Sequence, residues 1–373
     1  MTSQSRLIAV SDVSLDYGSP EIAALTDALS GHYGTRGLLL EPDETDRPPS
    51  APRDTRHFDV RRLGSGLPSQ TLSWRRDFLW RARQIIEAEK PDILFVCGGA
   101  VFPVLAALKH RPAQVIYFAY EQIADLAEPD QRAHTAMLAD CDLVITPSPR
   151  RLIRDCETVS AWPRRVTGIV NSADVAYPEP ITALPSGERN GRFFWCGALH
   201  RTRTFADWFL SDALSPFRID LFGRISDPDP DPLRAGIEER DHLHHHGLVP
   251  ADALNRARAE SAFSLIWWNP ENSFGHYHLA SNRFFTSVCA GVPPIVGPHP
   301  QCVAYARRHD CAIVMDDWTL DALTRAMQQA ADLYGSSAYD ALVQRCLDAR
   351  EDIGWAVQRD QVLSALRAME DRS

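Results

Sequence analysis

The segment SNRFFTSVCAGVPPIV, which begins at Ser281, combines a polar start, an apolar face and a glycine–proline stop. Ser281 or Asn282 can cap a helix whose first turn contains Arg283, and Gly291 suits the positive φ at which such a helix ends. The unpaired N–H groups and dipole of a helix start attract an anion, and the forked guanidinium of arginine suits phosphate. The pattern is typical of either a diphosphate site or an ordinary connection between a helix and the next strand.

Carboxylates follow two apolar runs in the first half of the chain. Glu121 ends the run VIYFAYE, and Asp12 and Asp16 lie in SDVSLDYGS, directly after the first run. Parallel sheets present functional groups at the carboxyl ends of their strands, where a carboxylate can take the proton of an attacking hydroxyl. Glu121 is the first candidate for such acid–base chemistry, with Asp12 and Asp16 as alternatives. In the competing interpretation, Glu121 caps the following segment or pairs with a nearby arginine.

Short apolar runs alternate with amphipathic segments, and this pattern predicts the elements that position these residues. The first half has strand candidates at 6–12, 37–41, 92–98, 113–119, 141–147 and 165–170. The second half repeats the pattern in RFFWCGA, FRIDLFG, HHHGLV, FSLIWWN, PPIVG and CAIVM. Continuous apolar strands separated by helices are typical of parallel sheets covered on both faces. The predicted fold class is therefore α/β, with two Rossmann-like doubly wound domains and a cleft between them.

Length and composition agree with two globular domains. The chain has 373 residues, of which 45% are hydrophobic and 24% are charged. The stretch at 176–191 is rich in Pro and Gly and is predicted to link a first domain at 1–175 to a second at 192–355. A C-terminal helix at 356–373 could pack back on the first domain.

The composition also excludes several classes of protein. A net charge of −10 argues against nucleic-acid binding. Eight scattered cysteines without a Cys-x-x-Cys pair fit a reducing compartment. No run is apolar enough to span a bilayer, and the N-terminus lacks the pattern of a secretory signal. These features predict a cytoplasmic protein.

Two segments contain residue types that bind metals. In HLHHH (242–246), alternate residues of a strand would face opposite sides. In DPDPD (227–231), the prolines between the acids favour a solvated loop. We therefore predict no metal site at either segment.

The helix predicted from LSWRRDFLWRARQIIEAEK has two stripes. Apolar residues from Trp74 to Ile85 are predicted to face the sheet. Arg76, Trp80 and Arg83 form a second stripe at i, i+4 and i+7. Such a stripe fits either peripheral contact with an anionic membrane or a lipid-diphosphate acceptor, or an ordinary solvated face with one exposed tryptophan.

The chain resembles GT-B glycosyltransferases, in particular the large retaining family (family 4) that uses nucleotide sugars. HYHLASNRFFTSVCAGVPPIVG is similar to the donor-site segment of that family, and ADCDLVITPSPRRLIRD, IVNSAD, FFWCGALHRTRT and HHHGLVPADALNRARAESAFSLI are similar to other family segments in the same chain order. The resemblance spans most of the chain. It implies a hexosyltransferase-like, metal-independent enzyme without a further cofactor. It also implies that the second domain binds a UDP-sugar or GDP-sugar donor and the first a saccharide or lipid-linked acceptor, in bacterial polysaccharide or glycoconjugate assembly.

The resemblance also implies which residues contact the donor. Arg283 stands where the family has a lysine, and Arg203, with Arg201 beside it, falls near a second basic contact. The other expected donor contacts are Glu271, Tyr277, His278, Ser281, Asn282 and Thr286.

Two departures from the family concern the chemistry. Thr286 replaces the glutamate that typically holds the ribose, so a hydrogen bond from this position lacks charge assistance. The first-domain histidine of the retaining family falls near Cys97 or Tyr120 and is absent. An acid, Glu121, is present instead, as in inverting glucuronosyltransferases of the xanthan type, and this favours inversion. The alternatives are a sugar-nucleotide epimerase of the same fold and a degenerate GT-B binding or scaffold subunit.

Overall fold

A computed structural model describes residues 5–15, 21–44, 57–64, 66–68, 71–122, 137–171, 175–176, 179–180 and 182–371. The chain divides into two compact units. The first comprises Met1–Val170 together with Ala356–Ser373, and the second comprises Asn171–Trp355. Each unit is built around its own parallel sheet.

The sheet of the first unit has seven parallel strands. These are β1 (Leu7–Ser11), β2 (Gly37–Pro42), β3 (Phe58–Leu63), β4 (Ile93–Cys97), β5 (Gln114–Phe118), β6 (Leu143–Thr146) and β7 (Val166–Gly168). Their order is β3-β2-β1-β4-β5-β6-β7. The direction of winding reverses between β1 and β4, which is where doubly wound sheets place ligands.

The second unit contains a short antiparallel pair and a six-stranded parallel sheet. The pair is β8 (Val175–Ala176) and β9 (Glu179–Pro180). The sheet consists of β10 (Phe193–Cys196), β11 (Ile219–Phe222), β12 (Leu243–Gly247), β13 (Phe263–Ile266), β14 (Pro294–Val296) and β15 (Ile313–Val314). Its order is β12-β11-β10-β13-β14-β15, so its winding reverses between β10 and β13.

Helices connect the strands in both units. In the described part of the chain they are α1 (Glu21–His32), α2 (Leu72–Glu89), α3 (Pro103–Ala106), α4 (Pro149–Val159), α5 (Arg201–Thr204), α6 (Pro230–Glu238), α7 (Ala251–Glu260), α8 (Phe274–Tyr277), α9 (Asn282–Cys289), α10 (Pro300–His309), α11 (Leu320–Leu333), α12 (Ser337–Ile353) and α13 (Trp355–Glu370). Short 3-10 helices lie at Gly99–Val101, Ser186–Glu188, Ala206–Leu210 and Asp212–Leu214. The side chain of Gln358 on α13 accepts a hydrogen bond from the Val170 N–H, at 2.7 Å, within the first unit.

Most strands form where the sequence has continuous apolar runs, and the α/β fold class is confirmed. All five residues of β1 and of β4 are buried, as expected for strands covered on both faces. The sequence pattern missed β3, because this edge strand buries only its end residues, Phe58 and Leu63, and carries polar residues between them. In α2 the fully buried stripe ends at Ile86 rather than Ile85, because Ile86 continues the four-residue spacing of the buried positions.

Candidate functional site

The start of α9 is built as the sequence predicted. Ser281 is the residue before the helix, and its side chain accepts a hydrogen bond from the Phe284 N–H at 3.2 Å. Asn282 is the first helical residue, and Gly291, with φ +67°, follows the last turn. The apolar residues of α9 are buried, so packing holds the start of the helix at the carboxyl edge of the second sheet.

The guanidinium of Arg283 lies at the reversal point of the second sheet. Its Nη1 donates to the carbonyl oxygen of Cys196, at the end of β10, at 2.6 Å. Its Nη2 is 3.4 Å from the carbonyl oxygen of Trp267, the residue after β13. Arg283 is 7% exposed. A side chain from the first turn of α9 therefore bridges the two strands between which the winding reverses.

Two indole rings enclose this guanidinium. The Arg283 Cζ lies 3.5 Å from the ring centroid of Trp268 and 4.5 Å from that of Trp195. Both distances are within the range of cation–π attraction. Gly197 follows β10 with φ +137°, and a Cβ at this position would lie 3.0 Å from Arg283 Nη1. The positive φ and this short distance both favour glycine at position 197.

A second buried cation lies close to the same strand end. Arg258, on α7, is 4% exposed, and its Nη2 lies 3.6 Å from Cys196 Sγ. Its Nη1 donates to the Oδ1 atom of Asn255 at 2.7 Å. Within the described ranges, no carboxylate pairs with Arg258 or Arg283.

Burial lowers the pKa of Arg283 to about 10, and the charge of Arg258 also lowers it. Buried charges in proteins are ordinarily paired. Two uncompensated cations beside a helix start therefore form a region of positive potential that a bound anion can balance.

The other two predicted basic residues both lie on α5 and differ in their surroundings. Arg203 is exposed, and its guanidinium makes no ion pair or hydrogen bond to any described residue. Arg201 is held by two carboxylates, with its Nε 2.9 Å from Asp207 and its Nη1 2.9 Å from Asp227. Arg203 is therefore available to an anionic ligand, whereas the charge of Arg201 is already balanced.

The remaining predicted donor residues lie near α8 and α9. Glu271 is exposed in the loop after β13, and its N–H donates to Asn269 Oδ1 at 3.0 Å. Tyr277 is the last residue of α8 and is 41% exposed, and its ring packs edge-on against that of His278. Thr286 is buried in α9, at 6% exposure. Contact of these residues with a donor stays a prediction.

Of the predicted carboxylates, Asp12 lies at the reversal point of the first sheet, and Glu121 follows β5, the strand beside β4. Asp12 directly follows β1 and accepts a hydrogen bond from the Tyr120 hydroxyl, just beyond β5. Gly98, after β4, has φ +86°, and a Cβ there would lie 2.6 Å from both carboxylate oxygens of Asp12. Glu121 is exposed beside this group, and Asp16 lies outside the described residues.

The environment of Asp12 favours its protonated form. Burial raises the pKa of the Asp12 carboxyl to about 8, and the nearby charge of Glu121 contributes to the rise. Two carboxylates near one another in different environments are a common arrangement in acid–base chemistry. The structure thus brings together Asp12 and Glu121, which are far apart in the sequence.

The histidine run forms the edge strand β12, as predicted. His244, His245 and His246 are exposed there, and His246 Nε2 lies 2.9 Å from Asp220 Oδ1. Across the described residues, no group of three or more His, Cys, Asp or Glu side chains is arranged to hold a metal ion.

The stripe on α2 is partly as predicted. Trp80 is 58% exposed and Arg76 is also exposed, whereas Arg83 is partly buried and lies 3.9 Å from Glu87. Leu72, one turn before Arg76, is 63% exposed and extends the stripe. Among the described helices, none has the length and apolar character needed to cross a bilayer.

Comparison with known proteins identifies the fold. No protein-family model and no curated protein matches the chain. Its structure is similar to that of sucrose-phosphate synthase from Thermosynechococcus elongatus, with a TM-score of 0.70, 14% identity, and coverage of 99% of this chain and 100% of that one. It is also similar to HepE from Anabaena in complex with UDP-glucose, with a TM-score of 0.70, 12% identity, and coverage of 97% and 99%. The chain has the GT-B fold.

Another structure with this fold is WaaG, a glycosyltransferase involved in lipopolysaccharide biosynthesis. Its TM-score is 0.65 at 12% identity, over 96% of this chain and 98% of that one. At such identities the likeness concerns the GT-B fold, so the chemistry of this GT-B protein has to be argued from its own residues.

Several residues of the site had no signal in the sequence. Arg258 lies in the polar stretch NRARAE, which reads as a surface helix, and Tyr120 and Gly98 match no motif. The contact between Trp268 and Arg283 likewise had no signal in the sequence. These contacts arise only when separate strand ends meet at one edge of a sheet.

Proposed function

We propose that this protein transfers a sugar from a nucleotide-diphosphate sugar to a hydroxyl acceptor. The observation that carries the proposal is the buried guanidinium of Arg283, which lacks a carboxylate partner among the described residues. It lies at the start of α9 and at the reversal point of the second sheet. The diphosphate of a sugar nucleotide is an anion of the required charge, and doubly wound sheets bind their ligands at this point.

In the proposed reaction, an acceptor oxygen attacks the anomeric carbon while the bond from that carbon to the diphosphate breaks. Negative charge then develops on the leaving diphosphate, and preorganised positive charge stabilises it. Arg283 and the free N–H groups of α9 would supply this charge, and the exposed Arg203 would add a mobile cation. Arg258, beside Cys196 at the end of β10, would add to this positive potential. This set of groups provides leaving-group stabilisation without a bound metal.

The base that takes the acceptor proton is proposed to be Glu121. Asp12 is less suited to this role at neutral pH, because burial and the charge of Glu121 raise its pKa to about 8. A protonated Asp12 can instead donate a hydrogen bond to the acceptor or to Glu121. A base of this kind favours inversion at the anomeric carbon, and proton NMR of the product determines the configuration directly.

The nature of the donor can be tested with a panel of nucleotides. HepE was solved with UDP-glucose, so UDP-sugars come first and GDP-sugars second. Calorimetry and thermal shift should detect binding of one nucleoside diphosphate and its sugars, because a ligand that binds the folded state stabilises it. If no nucleoside diphosphate and no nucleotide sugar binds, the proposal is wrong.

Turnover separates the transferase from its two alternatives. A transferase consumes the donor, passes the sugar to an acceptor or slowly to water, and releases the nucleoside diphosphate. An epimerase of the same fold converts one nucleotide sugar into its epimer without an acceptor. A scaffold subunit binds the nucleotide sugar without turnover. A saccharide or lipid-linked acceptor in bacterial polysaccharide assembly is proposed as the physiological substrate.

Contact with a membrane is a second proposal, and the exposed stripe of α2 supports it. Leu72 and Trp80 are 63% and 58% exposed on the same side as Arg76, which combines apolar and cationic groups on one helix face. The protein should sediment with vesicles that contain an anionic phospholipid at low salt and should be released at high salt, because salt screens surface charge. The double variant Leu72→Ser, Trp80→Ser is the control. Equal sedimentation of this variant, or none by the wild type, contradicts the proposal.

A further inference from the structure

His299 connects the two ends of a loop in the second unit. It directly precedes α10 and is completely buried. Its Nε2 accepts a hydrogen bond from the Trp268 N–H at 3.2 Å, and its Nδ1 lies 3.3 Å from the carbonyl oxygen of Tyr277. A single imidazole therefore bonds the backbone at both ends of segment 268–277.

The two hydrogen bonds determine the tautomer of the imidazole. Because Nε2 accepts from an N–H group, Nδ1 carries the proton and donates it to the Tyr277 carbonyl. The ring also packs edge-on against Trp318, with the centroids 4.5 Å apart. Burial keeps the imidazole neutral by lowering its pKa to about 3, and the charge of Arg283 acts in the same direction. His299 is thus a buried, uncharged residue that bonds to both ends of the segment.

The loop that His299 closes lies beside the proposed donor site. Asn269, in this loop, donates its backbone N–H to the Arg203 carbonyl and its Nδ2 to the Thr202 carbonyl, both at 2.8 Å. At the start of the loop, the indole of Trp268 lies 3.5 Å from the Arg283 Cζ. The position of the Trp268 backbone therefore determines where its ring can stack on the guanidinium.

We infer that His299 is a positioning residue that closes segment 268–277 and so holds Trp268 against Arg283 in the orientation that binds the donor diphosphate. The inference rests on the proposed function, since it assigns Arg283 to the diphosphate. His299 itself touches no reacting atom in this scheme. It acts through the loop, and the loop acts through the stacked indole.

Two variants and a control test the inference. His299→Phe keeps a planar ring but leaves the Trp268 N–H and the Tyr277 carbonyl unpaired. His299→Gln retains a donor and an acceptor at a separation similar to that of the two ring nitrogens. His244→Phe, at an exposed position on the edge strand β12, is the matched control. Each variant is compared with the wild-type full chain by calorimetry with UDP and GDP, and by hydrogen exchange without ligand.

The expected result has three parts. His299→Phe should weaken binding of the nucleoside diphosphate about tenfold, because Trp268 is no longer held against Arg283. Amide exchange should become faster in 268–278, with protection of the six-stranded sheet retained. His299→Gln should restore both properties to within about threefold. The control should match the wild type.

Other results would overturn the inference. Wild-type affinity in His299→Phe rules out positioning of Arg283. Faster exchange throughout the second unit that His299→Gln does not correct shows a general structural role instead. If the wild type binds no nucleoside diphosphate, the proposed function fails, and the exchange of 268–278 alone decides whether His299 closes the loop.

Discussion

Replacing Arg283 with methionine should separate donor binding from stability. Methionine has a similar length and no charge, so it removes the buried cation with little change in packing volume. The guanidinium contacts two carbonyl oxygens and two indole rings. If the charge is present for an anionic ligand, Arg283→Met should greatly weaken nucleotide binding and lower the free energy of unfolding by no more than a typical point mutation does.

The size of the stability effect follows from opposing contributions. The pKa of Arg283 falls from 12.5 to about 10 on burial, so the charged form is disfavoured in the folded state by about 3 kcal/mol. Methionine relieves this cost. It forfeits two cation–π contacts, which contribute about 1–2 kcal/mol each when desolvated, and hydrogen bonds to two carbonyls at about 1 kcal/mol each. The losses exceed the relief by about 1–3 kcal/mol, so the free energy of unfolding should fall by no more than about 3 kcal/mol.

The affinity for the donor should fall by at least an order of magnitude. A hydrogen bond to a charged group contributes about 1.5–3 kcal/mol, which corresponds to a decrease in affinity of roughly 10- to 150-fold. Calorimetry with the nucleoside diphosphate measures the affinity, and urea denaturation without ligand measures the stability. Arg81→Met, which removes an exposed arginine that pairs with Asp77 on α2, controls for the loss of a surface charge.

One pattern of results would refute this reasoning. If Arg283→Met unfolds far more easily than the wild type but binds nucleotide with the same affinity, the guanidinium serves only to join β10 to β13. The anion would then have to bind elsewhere in the second unit.

Three further predictions concern single groups. Gly98→Ala should lower the free energy of unfolding by about 1–3 kcal/mol more than Gly34→Ala, because both glycines have positive φ but only at Gly98 would a Cβ clash with Asp12; equal losses in urea denaturation would contradict the clash. Glu121→Gln should keep donor affinity and reduce transfer by roughly 10²–10⁴-fold, and near-normal transfer in a coupled assay would exclude a base at this position. The pKa of His299 is lowered to about 3 from 6.5 in the unfolded chain, so stability should fall as pH decreases from 6.5 toward 3, by up to about 1.4 kcal/mol per pH unit. His299→Gln should remove this part of the pH dependence, and an unchanged slope would show that the imidazole titrates normally.

The sequence by itself determined most of the strands and the start of α9. Continuous apolar runs placed most strands, because a strand buried on both faces must be apolar throughout. The start of α9 was equally readable, because Ser281, Arg283 and Gly291 act on backbone groups within a few positions of themselves. Strand β3 was not predicted, because an edge strand buries fewer of its side chains and therefore shows no continuous apolar run.

Only the tertiary structure decided which groups meet. Arg283 reaches a carbonyl 87 positions away, and the Tyr120 hydroxyl reaches Asp12 across 108 positions. The buried Arg258 and the two bonds of His299 likewise depend on packing between separate elements. Residues at the ends of different strands become neighbours because a parallel sheet aligns those ends at one edge, and the strand order that aligns them is set by long-range packing.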